Sequence, residues 1–471
     1  MEHKFPLTLC VALALVGCST LRAPATPTLG GLQAPAAWSE APANTTQRNA
    51  ADLAAWWRRF GDSALDTLIA DALAANTDIA QARATLRQAR ALADVQSAQL
   101  LPAVGGNASA QRSKSGSLPA ANNFRASLDA SWEIDLFGGQ RSAANAATID
   151  AQASAAGLGD VQVSVAAEVA LAYLSLRSSE VREDIALRNL ASQQETLQIT
   201  QWRVQAGLAT SLDAEQARAA VEQTRAQLPL LQKAAAQSRH QLALLTGRSA
   251  YQLVLAKTAA LPTAPADLAL ALPADTLRQR ADVRASQARV EAAAQRIVQA
   301  DAARYPSLSL SGSLGLSALT LSGLTSGGAG VASRLAGVSL PIFDGGAGKA
   351  QVTAQQAAFD AATAGYCASV LTALKDVEDS LVSLQRDRER LFTLQQAADA
   401  AGNAARLATQ RYGSGLIDFQ TVLDTQRSQL SAQDSVASAN SDVAADHVRL
   451  YKALGGGWQP EPTLASASNT R

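Results

Sequence analysis

Residues 124–136 read Phe124-Arg125-Ala126-Ser127-Leu128-Asp129-Ala130-Ser131-Trp132-Glu133-Ile134-Asp135-Leu136, and the alternation is unbroken. Apolar side chains hold the even positions, and Arg, Ser, Asp and Glu hold the odd ones. Successive side chains of a strand point to opposite faces, so this is a strand with one apolar and one charged face. A tilted strand crossing a bilayer needs about 9–11 residues, which this stretch supplies. The pattern recurs where Leu308, Leu310, Leu314 and Leu316 alternate with Ser309, Ser311, Ser313 and Ser317, setting a strand over about 307–320. Weaker versions cover about 103–113 and 334–343. Phe124, Phe137, Tyr305 and Phe343 fall near strand ends, where an interfacial aromatic girdle belongs. A soluble sandwich edge is the competing reading, but four strands make a poor independent sandwich.

The strands belong to a duplicated chain. Leu101-Pro102 returns as Tyr305-Pro306, and the run from Trp132 to Gly139 is matched by Leu340 to Gly346. Arg203 to Leu208 matches Arg411 to Leu416, and Thr246-Gly247 matches Leu454-Gly455, both at an offset of 208. Landmarks in one order at slowly drifting offsets give two copies of one unit of roughly 200 residues, too long for a short-period solenoid. The first copy spans 51–250, a connector spans 251–273, and the second copy spans 274–458, followed by a polar tail at 459–471.

Most of each copy is helical. Val370, Val377, Leu384 and Leu391 fall seven apart, as do Val436, Val443 and Leu450, and Leu190, Leu197 and Val204. Heptad spacing means helices packed side by side. A long helix is expected at 139–205 and another at 345–411, each roughly 100 Å at 1.5 Å per residue. Each leaves a strand at a Gly pair and reverses at a Gly-containing turn. Shorter helices at 76–101 with 212–247, and at 274–304 with 419–454, sum to nearly the same length in each copy.

Composition narrows the class. Forty basic and forty acidic residues cancel, a poor electrostatic footprint for a nucleic-acid partner. Aromatics are only 4% within a 48% hydrophobic content, so Ala, Leu and Val supply the packing surface of close-set helices. No unbroken apolar run of eighteen residues lies beyond the N-terminus, which excludes a helical membrane span. Residues 1–17 read as a signal peptide whose apolar segment, Phe5 to Gly17, is too short to be an anchor. Leu15-Val16-Gly17-Cys18 resembles the lipobox of bacterial lipoprotein signals, so Cys18 is expected to carry a covalent lipid and Ser19 to route the chain to the outer membrane. An ordinary secretory signal is the alternative. Residues 18–50, rich in Pro, Ala and Thr, read as the lipidated tether.

Four strands in lipid leave two edges whose backbone groups have no partner, which a bilayer does not tolerate. The chain is therefore expected to share a barrel with copies of itself: two would give eight strands, three would give twelve and room for a lumen.

Trp56-Trp57, Phe60-Gly61-Asp62, Leu65, Leu68-Ile69, Ala72-Leu73 and Asn76-Thr77-Asp78-Ile79 resemble the N-terminal signature of the TolC-like outer-membrane factors, in their NodT-type lipoprotein branch with OprM-like channels. Arg411-Tyr412, Gly415-Leu416 and the run Val422 to Arg427 resemble its second-copy turn, and Asp282-Val283 the counterpart of Asp78-Ile79. Ala281 departs from the family's usual Pro. The resemblance covers roughly residues 50 to 458. It implies a mainly α protein with membrane β structure: a homotrimer that shares a 12-stranded transmembrane β-barrel, four strands per chain, over a long α-helical barrel through the periplasm. It also implies docking to a periplasmic adaptor (membrane fusion) protein and to an inner-membrane pump of the resistance-nodulation-division (RND) type.

In such a tube the end farthest from the strands is built from the turns at 204–213 and 411–420. Asp213, Asp418 and Asp424 lie there with Arg203, Arg411 and Tyr412, and these are the candidates for a periplasmic gate. In a trimer any one Asp becomes a ring of three carboxylates. Alternatively, Asp–Arg pairs tie neighbouring columns shut, or Leu416, Ile417 and Tyr412 form an apolar plug. Thr210 to Asp213 also reads as a capping box and Asp418 as a helix N-cap. Gly207, Leu208, Gly413, Gly415 and Leu416 match the family turns that receive adaptor hairpins, although turn glycines with positive φ need no partner.

No metal site, cofactor or enzyme activity is expected. His240 and His447 read as exposed helix residues, and Gly327-Gly328-Ala329-Gly330 lacks the Lys-Ser/Thr of a phosphate loop. The function expected is the outer-membrane channel of a tripartite efflux system, a passive exit duct for drugs or other small toxic solutes. The alternatives are a type I protein secretion duct and a non-conducting structural coiled-coil lipoprotein of the periplasm.

Overall fold

The computed structural model describes residues 21–28, 32–33, 35–39, 46–47, 53–258, 260–265, 269–270 and 273–459. The signal segment 1–17, Cys18, about half of the 18–50 tether and residues 460–471 lie outside the described residues. After β1 (Thr46–Gln47), the first copy runs α1 (Ser63–Ala75), α2 (Thr77–Ala98), β2 (Ala103–Ser113), β3 (Ala121–Ile134), α3 (Gly139–Gln205) and α4 (Ser211–Leu245). After β4 (Ala269–Leu270) in the connector, the second runs α5 (Pro273–Gln279), α6 (Ala281–Ala302), β5 (Ser307–Ala318), β6 (Gly330–Ser339), α7 (Ala347–Gly413) and α8 (Phe419–Ala453). Two compact units result, one built from residues through Leu32 with 84–155 and 285–369, the other from 33–83, 156–284 and 370–471.

The first unit holds a four-stranded sheet in the order β2-β3-β5-β6, antiparallel throughout. Its register aligns the alternation across strands: Ala126 lies opposite Leu316, Leu128 opposite Leu314 and Trp132 opposite Leu310. The other face aligns Arg125 with Ser317, Asp129 with Ser313 and Glu133 with Ser309. On that polar face Asn107 Nδ2 donates to Asp129 Oδ2 at 2.6 Å, and Arg125 Nη2 to Ser313 Oγ at 3.1 Å.

Strand ends shift from expectation in β3, β5 and β6, and two of the C-terminal ends have a local reason. β3 stops at Ile134 because the Asp135 carboxylate turns to accept the Arg141 amide at 2.9 Å, starting α3. β6 begins at Gly330 and ends at Ser339, four residues earlier than expected, since Pro341 has no N–H to continue a ladder. Ile342 and Phe343 consequently stand 93% and 92% exposed beyond the strand. Phe137 and Tyr305 stack on each other at 4.9 Å. Asp344 accepts from the amides of Gly346 and Gly348 at 2.8 and 2.7 Å, so both long helices start beside a carboxylate.

The second unit is helical, and its core is where the heptads point. Val370, Val377, Leu381, Leu384, Val443 and Leu450 are buried. Trp56 stacks on Tyr451 at 5.6 Å, and Arg59 Nη1 donates to the Tyr451 hydroxyl at 2.6 Å. The helix expected over 274–304 is broken at Arg280, as its first-copy counterpart is broken at Asn76. Asn76 Nδ2 donates to the Leu245 carbonyl at 2.9 Å, while its Oδ1 accepts the Asp78 amide at 2.8 Å. Arg280 Nη1 donates to the Ala453 carbonyl at 3.1 Å and its other nitrogens to the Asp282 carboxylate. Each joint thus fastens the end of a returning helix to the start of a rising one.

Two expectations are corrected. His447 is not exposed: it is fully buried, with Arg388 Nη2 2.8 Å from its Nε2, whereas His240 is exposed. The lack of an unbroken apolar run does not by itself exclude a helical span, because α3 and α7 each contain an eighteen-residue stretch apolar enough to cross a bilayer. Alanine creates that composition by serving as a packing residue; in α3, 44% of the stretch is buried inside the protein.

Close helix packing makes one glycine critical. A Cβ on Gly159 would meet the Trp458 ring at 2.5 Å, whereas one on Gly157 meets nothing within 4 Å. Ala ordinarily stabilises a helix by about 1 kcal/mol over Gly. Gly159→Ala should instead destabilise by about 1–3 kcal/mol through overpacking, while Gly157→Ala should be neutral or stabilising. Thermal unfolding of the two variants checks the sign.

Candidate functional site at the helical turns

The turns joining α3 to α4 and α7 to α8 are two copies of one design. The Leu208 amide donates back to the Arg203 carbonyl at 2.7 Å and Gly207 to Val204 at 3.0 Å; Leu416 donates to Arg411 and Gly415 to Tyr412, both at 2.9 Å. Gly207 and Gly415 take φ of 69° and 73°, the left-handed conformation such a helix end requires. Gly413, by contrast, is the last residue of α7 and has no positive φ.

The caps that follow use the same chemistry in opposite order. In the first copy Thr210 Oγ1 accepts the Asp213 amide at 3.2 Å, and Asp213 reaches back to the Thr210 amide at 2.9 Å, a closed capping box. In the second, Asp418 Oδ1 accepts from the Thr421 amide at 2.8 Å and from its hydroxyl at 2.6 Å. The Thr421 hydroxyl, then its amide, holds the Asp418 carboxyl below the usual carboxylate range.

Behind the turns sits a small core of Ala217, Ala220, Ala408, Tyr412, Phe419, Val422 and Leu423. The Tyr412 and Phe419 rings lie 5.3 Å apart. Arg203 spans the two copies: Nη1 donates to the Tyr412 carbonyl at 2.9 Å, and its guanidinium lies 4.4 Å from the Tyr412 ring centre. Higher up, Arg182 grips Asp434 with two bonds of 2.6 and 2.9 Å, and Gln426 Nε2 donates to Thr196 Oγ1 at 2.9 Å.

The predicted residues therefore cluster, but not as ion pairs between columns of one protomer. Arg203 takes Tyr412 rather than an aspartate. Asp424 accepts from Gln420 at 3.0 Å and lies 3.8 Å from Arg427, both on its own helix. Arg411 is exposed and makes no ion pair among the described residues. Tyr412 is buried, while Leu208 and Leu416 stand 69% and 73% exposed at the extremity of their turns. Sequence reading missed Phe419, Thr421 and the Arg182–Asp434 clamp. Phe419 and Thr421 follow Asp418 directly, so cap spacing could have found them; the clamp joins residues 252 positions apart and left no local signal.

A duplicated chain, each copy pairing two strands with a 67-residue helix and a returning hairpin, defines a class of outer-membrane channel subunit. The family model for the outer membrane efflux protein matches residues 68–248 and 272–456, and the chain belongs to that family. It is 33% identical over 466 residues, 96% of each chain, to the toluene efflux pump outer membrane protein TtgF of Pseudomonas putida. It is 34% identical over 472 residues, 97% of this chain and 98% of the relative, to the pyoverdine export outer membrane protein OpmQ of the same species. The solved outer-membrane channel OprN matches at a TM-score of 0.88 and 34% identity, over 94% of this chain and 100% of that one.

If Arg203 is the tie between the two turns, Arg203→Ala should loosen both, by about 1–2 kcal/mol from one carbonyl hydrogen bond and one cation–π contact. Hydrogen exchange at the amides of 407–416 should rise selectively, and Arg203→Lys should recover only part of the protection because it lacks the flat guanidinium.

Proposed function

We propose that three copies of the chain close a twelve-stranded barrel in the outer membrane and continue it as a helical tube into the periplasm. The assembly is a passive exit duct for drugs or other small toxic solutes, driven by an inner-membrane pump through a periplasmic adaptor. The observation that carries this reading is the sheet β2-β3-β5-β6: apolar on one face, lined with Ser, Asp and Arg on the other, and open at β2 and β6. Only joining one copy's β6 to the next copy's β2 pairs those edges in lipid. Kinship with proteins named for toluene efflux and pyoverdine export supports small-molecule cargo. A pump of the RND type is the partner the resemblance favours. The duct does no covalent chemistry of its own, and a lipid on Cys18 anchors each chain beside the barrel.

The exposed turns receive the adaptor, with Leu208 and Leu416 offering apolar contact and Gly207, Gly413 and Gly415 close backbone approach. The same ends form the gate. Asp418 and Asp424 contribute rings of carboxylate that Asp213, Arg203, Arg411 and Tyr412 position or balance.

Purified material should have the mass of a trimer and conduct in planar bilayers; a non-conducting monomer overturns the reading. Asp418→Ala and Arg411→Ala should raise single-channel conductance. Asp418→Asn separates charge from capping, since Asn still caps a helix. Cation selectivity should fall in Asp418→Asn, and unchanged selectivity together with unchanged conductance in all three variants removes Asp418 and Arg411 from the gate.

A further inference from the structure

Two bases of the sheet, Arg334 and Arg112, contradict the face they occupy. Arg334 lies opposite Gly312, which lies opposite Ala130, which lies opposite Val104. Arg334 therefore shares the apolar face with Leu128, Trp132, Leu310 and Leu314, the face that meets lipid. The strands' carboxylates, Asp129 and Glu133, align with Ser313 and Ser309 on the other face. Arg334 is exposed and has no hydrogen bond or ion pair among the described residues.

Closing the barrel does not supply a partner. The strand that would lie beside β6 is β2 of the next copy, and Ala103–Ser113 contains no Asp or Glu on either face. It contributes instead a second base. Arg112 lies opposite Asn122, two positions from the Ala110–Phe124 pair, and so stands on the same apolar face near the strand's outer end. A guanidinium on that face is costly at the bilayer midplane and tolerated near the interface. Arg334 lies four residues from the start of β6 at the end away from the helices. That is about 13 Å along the strand and about 10 Å in depth at a tilt of about 40°, from which a snorkelling side chain extends most of the way toward the headgroups.

We propose that Arg334, joined by Arg112 of the adjoining copy, binds the phosphate of a lipid in the outer leaflet of the outer membrane. The guanidinium presents two parallel N–H donors to phosphate oxygens. Gly312 beside it leaves a shallow track across which an acyl chain can lie against Leu314 and Leu128. The site rests on the barrel reading above, because lipid faces this surface only if the sheet spans the membrane.

The test uses the full chain purified in neutral detergent, with native mass spectrometry of the trimer titrated against bisphosphorylated lipid A and against its dephosphorylated form. Arg334→Leu restores the apolar pattern and should fold; Arg334→Lys keeps the charge without the fork. The wild type should bind the phosphorylated lipid about tenfold or more tightly than Arg334→Leu, the scale of a charge-assisted pair, with Arg334→Lys between them. The dephosphorylated form should bind all three alike, and inorganic phosphate should not displace the lipid. Equal binding of the phosphorylated lipid by the wild type and Arg334→Leu overturns the site, as does displacement by inorganic phosphate. The mass and conductance of the wild type decide the barrel separately: a conducting trimer with equal lipid binding removes only the lipid site, and a non-conducting monomer removes both.

Discussion

The constraint on which the rest depends is that no backbone amide or carbonyl can stand unpaired in hydrocarbon. A four-stranded sheet satisfies its interior ladders and leaves β2 and β6 open. A soluble protein blunts such edges with charge, proline or a covering helix. Here β2 is an exposed run from Ala103 to Ser113, free of acid and proline, with nothing among the described residues laid over it. An edge of that kind in a membrane is half of a joint. The alternation of Leu with Ser meets a companion demand, because a wall one strand thick with lipid on one side and water on the other would need opposite side chains at every second residue.

The helical part meets a different demand, which is to keep long helices close and parallel. Alanine does most of this, and Gly159 against Trp458 shows how little clearance remains. Packing by small residues explains why aromatics are scarce along the columns yet gathered in the second unit, where Trp56, Trp57, Phe60 and Tyr451 fill the space around the chain's joints. There the returning helices end, and Asn76 and Arg280 catch their last carbonyls. Asn and Arg are not interchangeable by chemistry. They serve equivalent places because each reaches one carbonyl while engaging the first turn of the next helix.

Much of this architecture was legible in the sequence because its signals are periodic and local. The alternation at 124–136 yielded β3 within three residues, and the offset of 208 located both turns. The C-terminal limit of β6 was not legible because Leu340, Ile342 and Phe343 continue the apolar pattern past Ser339, where the ladder stops. Burial of His447 was misread for a related reason: the heptads mark which face of a helix packs, but not that a polar residue beside the seam finds Arg388 within hydrogen-bond reach. At the turns the residue types were recoverable and their pairings were not. Charge complementarity suggested arginine with aspartate, whereas Arg203 found a carbonyl and an aromatic ring, because its neighbours Asp213 and Asp418 were already committed to capping.

Duplication also shows how much the turns can differ without endangering the fold. Both must end one helix in a left-handed glycine and start the next with an oxygen acceptor, and both Thr and Asp meet the second need. The first copy caps with Thr210 and places its acid at Asp213; the second caps with Asp418 and places its hydroxyl at Thr421. The swap leaves the capping intact while moving the carboxylate by a whole helical turn. Charge at the turns can therefore vary between the copies at little cost in stability, so long as each turn keeps its glycine and its cap. The Arg203–Tyr412 contact is the element that breaks the symmetry: its first-copy counterpart to Tyr412 is Val204, which offers no ring. The two turns are thus alike in backbone and unlike in what holds them, since the tie runs from the first turn to the second and has no return counterpart.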